Sequence, residues 1–166
     1  MIFISHRGNL TGPDWEGMEN TKEAIDHAIS NGFDCEVDLW LLSGRIYLGH
    51  DRPIHKVEYE WLERRKDHLW CHAKDVRILQ LLLDTRMHCF FHDVDAYTLT
   101  SKGLIWTYPS MPLTSKSICV LPERSSFIHI PKRGTCYGMC SDHISQLRKR
   151  YDEMTNMTNV MEVEET

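Results

Sequence analysis

The 166-residue sequence contains no apolar run close to the roughly 20 residues that a membrane-spanning helix needs. Its first residues, MIFIS, carry no basic segment, so we expect no secretory signal. Positive charge is also scarce, because 19 Lys and Arg residues stand against 24 Asp and Glu residues, a formal net charge of -5. This balance argues against an extended nucleic-acid surface. The absences together predict a cytoplasmic protein without a transmembrane segment.

The sequence also lacks a Gly/Ser linker, an internal repeat and a Cys-x-x-Cys motif. Most of its six cysteines lie in apolar runs, which predicts free, buried thiols in a reducing compartment. We therefore expect one domain over residues 1–152, followed by an acidic tail over residues 153–166 that frays.

Short apolar segments alternate with amphipathic ones along most of the chain. Helical spacing is found at 19–32, 57–67, 75–85 and 143–154, and residues 96–103 favour a short helix or turn. About eight strand-like runs lie between them, the number that a (β/α)8 barrel needs. The sequence therefore predicts an α/β fold, a compact TIM-type (β/α)8 barrel with shortened helices and loops, with an open doubly wound sheet as the alternative.

Polar residues follow the apolar runs where the predicted strands end. In barrels and open α/β sheets alike, that edge carries the active site. The candidate residues at this edge are His6, Arg7, Glu36, Asp38, His50, Asp51, His72, Lys74, His92, Asp93, Trp106, Tyr108, Glu123 and Asp142.

Glu36 and Asp38 are separated by one residue on a predicted strand, so their side chains share a face. An E-x-D pair of this kind often lies on a solvated face, but the run VDLWLL around it is too apolar for an exposed strand. Two buried carboxylates repel each other, and a divalent cation such as Mg²⁺ or Ca²⁺ relieves the repulsion. His72 and Lys74 share a face in the same way.

Four motifs occur in a recognisable order: HRG at 6–8, MENT at 18–21, EVD at 36–38 and GHD at 49–51. They resemble the N-terminal signature of the glycerophosphodiester phosphodiesterase family, within the phosphatidylinositol-phospholipase-C-like phosphodiesterases. WCHAK and YGMCSD further along are similar to later strands of that family. The resemblance implies a (β/α)8 barrel that cleaves phosphodiesters with a divalent metal.

The resemblance also implies roles for single residues. His72 stands where the family usually has a glutamate ligand, which shifts the expected ion away from Ca²⁺ towards Mg²⁺, Mn²⁺ or Zn²⁺. We take Mg²⁺ as the expected cofactor, with Mn²⁺, Ca²⁺ and Zn²⁺ as alternatives. The roles implied are acid–base catalysis by His6 and His50, phosphate binding by Arg7 and Lys74, metal binding by Glu36, Asp38 and His72, and lining of the pocket by Glu19, His92, Trp106 and Glu123.

The expected function is hydrolysis of a small soluble or lipid-derived phosphodiester. Two alternatives stay open at this point. The barrel could bind a phosphorylated ligand without turnover, or the histidines and carboxylates could form a zinc-dependent hydrolase of another phosphoester.

Overall fold

The computed structural model describes residues 1–13, 17–125 and 130–164, with side chains described as far as residue 157. Within these residues the chain forms ten β-strands, four α-helices and one short 3-10 helix. The strands are β1 (Ile2–His6), β2 (Asp34–Leu42), β3 (Arg45–Leu48), β4 (His55–Val57), β5 (Leu69–Ala73), β6 (Cys89–Phe90), β7 (Tyr97–Leu99), β8 (Ile105–Thr107), β9 (Ser117–Val120) and β10 (Gly138–Ser141). The helices are α1 (Lys22–Ser30), α2 (Tyr59–Glu63), α3 (Val76–Asp84), α4 (Ile144–Glu164) and the 3-10 helix Pro122–Arg124.

The four helices of the described residues lie where helical spacing predicts them, and two of them begin with a side-chain cap. The side chain of Thr21 accepts a hydrogen bond from the backbone of Ala24 and so caps α1. The carboxylate of Asp75 caps α3 in the same way. Helix α4 continues through residues 153–164, the segment for which the sequence predicts a frayed tail, while residues 165 and 166 lie outside the described part.

The strands form one sheet with a parallel centre. Neighbours in the order β6-β5-β2-β1-β10-β9-β8 all run parallel. Strand β7 continues this order beyond β8 as an antiparallel edge, and the hairpin β3-β4 pairs antiparallel with β2. Strand β1 therefore lies at the centre, between β2 and β10.

The prediction of a (β/α)8 barrel is wrong. The sheet is a curled ten-stranded half-barrel, and the four α-helices in the described residues are too few to follow each strand of a barrel. The reason lies in the second half of the chain, where β7 turns back antiparallel to β8. The connection over 108–116, which joins β8 to β9, is also shorter than a typical helix of about 11–12 residues.

The curl brings aromatic side chains from both ends of the sheet together on its inner face. The ring of Trp106 on β8 lies 4.7 Å from that of Phe90 on β6 and 6.1 Å from that of Trp70 on β5. A backbone hydrogen bond from Ser101 to the carbonyl of Cys89 also joins the turn after β7 to β6. These contacts hold the sheet in its curled form and close one end of the inner face.

The outer face is covered by helices. Residues of α1 and α3, including Ile25 and Ile78, pack on alternate side chains of β2 and β5 such as Val37 and Cys71. Leu147 and its neighbours on α4 form a separate cluster with Met139 of β10 and Phe3 of β1. The apolar positions of β2 and β5 are thus used on the outer face, which leaves their alternate positions for the inner face.

Two general properties concern the described residues only. None of the helices there is long and apolar enough to cross a membrane. The six cysteines are free thiols, and five of them are buried.

Candidate functional site

The carboxyl ends of the parallel strands bring the predicted site residues to one edge of the half-barrel. His6 on β1 is in register with Glu36 on β2, and Asp38 on β2 is in register with His72 on β5. All four side chains are buried at the inner face. The expectation that strand alternation turns Glu36 and Asp38 to one face is therefore confirmed.

The HRG segment makes a tight turn directly after β1. Arg7 and Gly8 both have positive φ, 56° and 89°, and the backbone of Arg7 donates a hydrogen bond to the carbonyl of Glu36. A Cβ atom at Gly8 would lie 2.8 Å from the Cβ of Ala24, so the turn packs against α1 too closely for any other residue. The turn directs the Arg7 guanidinium to the carboxylates of β2.

The MENT segment holds one of those carboxylates. The side chain of Asn20 donates a 2.9 Å hydrogen bond to Oδ2 of Asp38 and accepts another of 2.9 Å from the backbone of Asp38. Asn20 thereby fixes both the backbone of β2 and the side chain of Asp38. The next residue, Thr21, is the N-cap of α1. The motif is thus a brace for the site as well as the start of a helix.

Glu36, Asp38 and His72 form the only group of three or more potential metal ligands found among the described residues. One ligand atom from each lies within 4.8 Å of the others. Nδ1 of His72 is 2.9 Å from Oδ1 of Asp38 and 3.9 Å from Oε1 of Glu36. Oε2 of Glu36 is buried without a hydrogen-bond partner. An orphaned carboxylate oxygen beside a second carboxylate and an imidazole fits a divalent cation.

The two carboxylates have opposite pKa shifts. Burial and the neighbouring charge of Asp38 raise the pKa of Glu36 well above its usual value. Burial also acts to raise the pKa of Asp38, but the hydrogen bond and charge of His72, with the charges of Arg7 and Lys74, outweigh it and lower that pKa. Asp38 therefore holds the stable negative charge of the pair, and Glu36 is the carboxylate that a cation would stabilise most.

The cationic side chains of Arg7 and Lys74 both contact the carboxylate of Asp38. Nε of Arg7 is 3.2 Å from Oδ2 of Asp38, and Nζ of Lys74 is 3.5 Å from Oδ1. Burial lowers the pKa of Arg7, but the charges of Glu36, Asp38 and Glu19 together raise it above its usual value. The guanidinium is therefore permanently charged and available to an anion.

His6 is oriented by a residue from the far end of the chain. Its Nδ1 lies 2.6 Å from Oδ1 of Asp142, which directly follows β10, and its Nε2 lies 3.8 Å from Oε2 of Glu36. Burial acts to raise the pKa of Asp142, but hydrogen bonds from His6 and Asn9 and the charges of His6 and Arg124 lower it. Asp142 is thus an anion that leaves Nε2 as the nitrogen of His6 facing the other site residues.

His50 lies on the loop between β3 and β4, half-exposed at the mouth of the site. Gly49 has a φ of 145°, and a Cβ there would lie 2.2 Å from the carbonyl of Arg52, so glycine is required for this bend. Nδ1 of His50 is 2.6 Å from Oδ1 of Asp51. Partial burial and the charges of Arg7 and Lys74 lower the pKa of His50, which favours the neutral imidazole at pH 7.

The remaining predicted pocket residues take different places. Glu19 accepts hydrogen bonds from Arg7 and Asn9, so it braces the HRG turn. His92 and Trp106 line the cavity. Glu123 faces away from it, because its Oε1 accepts from the backbone of Asp142 at 2.9 Å and from the hydroxyl of Ser141 at 3.0 Å. Glu123 therefore supports the end of β10.

Sequence reasoning missed two polar residues of the site, Asn9 and Arg124, both of which contact Asp142. Asn9 bridges Glu19 and Asp142 through its Nδ2, at 2.7 Å and 2.9 Å. Arg124 donates to the other oxygen of Asp142 at 3.2 Å. Asp142 itself is predicted from the sequence at the end of the last strand, the position that the other strand-end residues of the site share.

A cavity of about 860 Å³ unites these groups, with His6, Arg7, Glu36, His50, His72 and Lys74 among its lining residues.

Comparisons of the chain with protein-family models, with curated proteins and with solved structures find no match.

Proposed function

We propose that this protein is a divalent-metal-dependent phosphodiester hydrolase of the glycerophosphodiesterase type. The observation that carries the proposal is that one cavity is lined by the imidazoles of His6 and His50, the cationic side chains of Arg7 and Lys74, and the orphaned carboxylate of the metal-ligand cluster. Each of these groups can assist phosphodiester hydrolysis, because the substrate is anionic, resists nucleophiles and releases an alkoxide. The substrate class is a small soluble or lipid-derived phosphodiester.

The charged residues would bind the phosphate and stabilise its transition state. Arg7 and Lys74 present fixed positive charge from two sides of Asp38, in a site largely protected from water. Glu36, Asp38 and His72 would hold the divalent ion, which as a Lewis acid withdraws charge from the phosphoryl oxygens. Asn20 keeps Asp38 in place while the phosphate competes for the same cations.

The two histidines would move the protons. One imidazole takes the proton of the attacking hydroxyl, and the other gives a proton to the leaving oxygen. Asp142 fixes the ring of His6 through Nδ1, and Asp51 contacts Nδ1 of His50, so both histidines have Nε2 free for this exchange. Imidazole suits both roles because its ordinary pKa is close to neutral pH.

The test is hydrolysis of bis(p-nitrophenyl) phosphate by the full chain with Mg²⁺, Mn²⁺, Ca²⁺, Zn²⁺ or EDTA. We expect activity that EDTA abolishes and that falls about 100-fold or more in His6→Ala and in His50→Ala. His27→Ala, an exposed histidine on α1, is the matched control and should keep wild-type activity. Wild-type rates in both site variants would refute the assignment. Phosphate binding without hydrolysis of any diester would favour a protein that only binds phosphorylated ligands.

A further inference from the structure

The imidazole of His72 is held rigidly in the proposed metal cluster. Its ring stacks on Phe90 with centroids 5.1 Å apart and planes 6° apart, and on His92 with centroids 4.5 Å apart and planes 17° apart. Aromatic rings stacked at such centroid distances restrict the plane of the buried side chain between them. The direction in which each nitrogen of His72 points is therefore set by the sheet and the stacked rings.

The neighbours of the ring determine which nitrogen is free for a ligand. Nε2 lies 3.3 Å from the backbone carbonyl of His92, which can only accept a hydrogen bond, so Nε2 can keep a proton with that carbonyl as its partner. Nδ1 faces the carboxylates of Asp38 and Glu36, at 2.9 Å and 3.9 Å, and because a carboxylate also only accepts, Nδ1 donates to Asp38 when no cation is bound. A divalent cation among the carboxylates would displace that proton and take the lone pair of Nδ1, while Nε2 stays protonated towards His92. A carbonyl that orients a histidine from behind is the usual support of a metal-bound imidazole.

The charge around the cluster disfavours an alkaline-earth ion. Arg7 and Lys74 offset the charges of Glu36 and Asp38, so these four side chains supply no net negative charge. Ca²⁺ prefers six to eight oxygen ligands and gains affinity from the number of charged ligands, and Mg²⁺ gives up its water reluctantly. An imidazole nitrogen is a poor ligand for both ions but suits first-row transition metals.

We infer that the ion bound at the metal site of the proposed function is a first-row transition-metal ion, Mn²⁺ or Zn²⁺, with Nδ1 of His72 as its nitrogen ligand. The buried Oε2 of Glu36 supplies independent support, because Glu36 belongs to the same cluster and this oxygen has no hydrogen-bond partner. The inference rests on the proposed function for the existence of the site and adds the class of ion.

The test uses the full chain stripped of metal and titrated separately with Mn²⁺, Zn²⁺, Mg²⁺ and Ca²⁺ by calorimetry. We expect one Mn²⁺ ion to bind about tenfold or more tightly than Mg²⁺ or Ca²⁺. Pulsed electron paramagnetic resonance of the Mn²⁺-loaded protein should show coupling to an imidazole nitrogen. His72→Glu, which makes the cluster all-oxygen, should lose this coupling and bring the Mn²⁺ and Mg²⁺ affinities to within roughly threefold.

His68→Glu is the matched control, because His68 also lies beside a carboxylate, with Nδ1 3.1 Å from Asp34, but is exposed and outside the cavity. It should keep both the Mn²⁺ preference and the nitrogen coupling. Absence of the coupling in the wild type, a preference for Mg²⁺ or Ca²⁺, or binding of none of the ions overturns the inference without need of any variant. Mg²⁺-dependent hydrolysis without nitrogen coupling would leave the proposed function standing, whereas coupling without hydrolysis of any diester would refute the function alone.

Discussion

Replacement of Asp142 by Asn isolates the role of the His6–Asp142 contact. The amide has nearly the same shape as the carboxylate but only one acceptor oxygen, so the change removes the negative charge and leaves an NH2 group facing either His6 or Arg124. A hydrogen bond to a charged group contributes about 1.5–3 kcal/mol, and about 1.4 kcal/mol corresponds to a tenfold change in rate. We therefore expect Asp142→Asn to lower kcat for bis(p-nitrophenyl) phosphate roughly 10- to 150-fold, with a smaller change in KM.

The assay compares kcat, KM and their pH profiles for the wild type, Asp142→Asn and Asp34→Asn. Asp34 is a matched control, because its carboxylate also contacts a histidine, His68, but outside the cavity. Asp34→Asn should retain wild-type kcat. An Asp142→Asn variant with wild-type kcat and pH profile would show that the charge of Asp142 does not act on the reaction. A fall in KM alone would contradict the positioning of His6 as well.

Two further predictions concern stability. Burial lowers the pKa of His88 to about 4, so below pH 6.5 the unfolded chain binds this proton first and the native state loses stability. Urea unfolding should show a loss of about 2 kcal/mol between pH 7 and pH 5 from this residue; His88→Gln should reduce that loss, and an unchanged pH dependence would contradict the assignment. Gly8→Ala should destabilise the protein by about 2 kcal/mol or more, because its φ is 89° and the new Cβ would meet Ala24 at 2.8 Å. Gly44→Ala, at positive φ but in open space, should lower the thermal midpoint clearly less, and equal losses would refute the close-packing argument.

Local patterns were sufficient to predict much of the site. Alternation along a strand places Glu36 and Asp38 on one face without knowledge of the neighbouring strands. The strand-end position of His6 was equally accessible, since it depends on one apolar run followed by a turn. In parallel sheets the carboxyl ends of strands meet at one edge, so His72 could also be expected there.

Contacts between distant segments were beyond local patterns. The pairing of His6 with Asp142 spans 136 positions and depends on the order in which the strands assemble. The curl of the sheet depends on Trp106 meeting Phe90, and neither residue carries a local signal for that contact. The segment 96–103 contains strand β7, where the sequence favours a helix or turn, because its pairing with β8 outweighs local preference.

The half-barrel itself follows from the same limitation. Counting apolar runs suggests about eight strands, but the hairpin β3-β4 and the antiparallel edge β7 do not belong to a repeated strand-helix unit. Whether a short strand continues a parallel series or turns back is decided by its partners in the sheet. A count of strands therefore does not distinguish a closed barrel from a curled sheet.

The central position of β1 has a consequence for the assembly of the candidate site during biosynthesis. This first strand pairs with β2 on one side, but its other partner, β10, leaves the ribosome more than a hundred residues later. Until then the ring of His6 has no Asp142 to hold it, and one side of β1 is an open edge. Nascent chains and fragments that stop before β10 therefore carry the proposed metal and phosphate ligands but lack the contact of His6 with Asp142, so on the proposed function we expect them to be inactive.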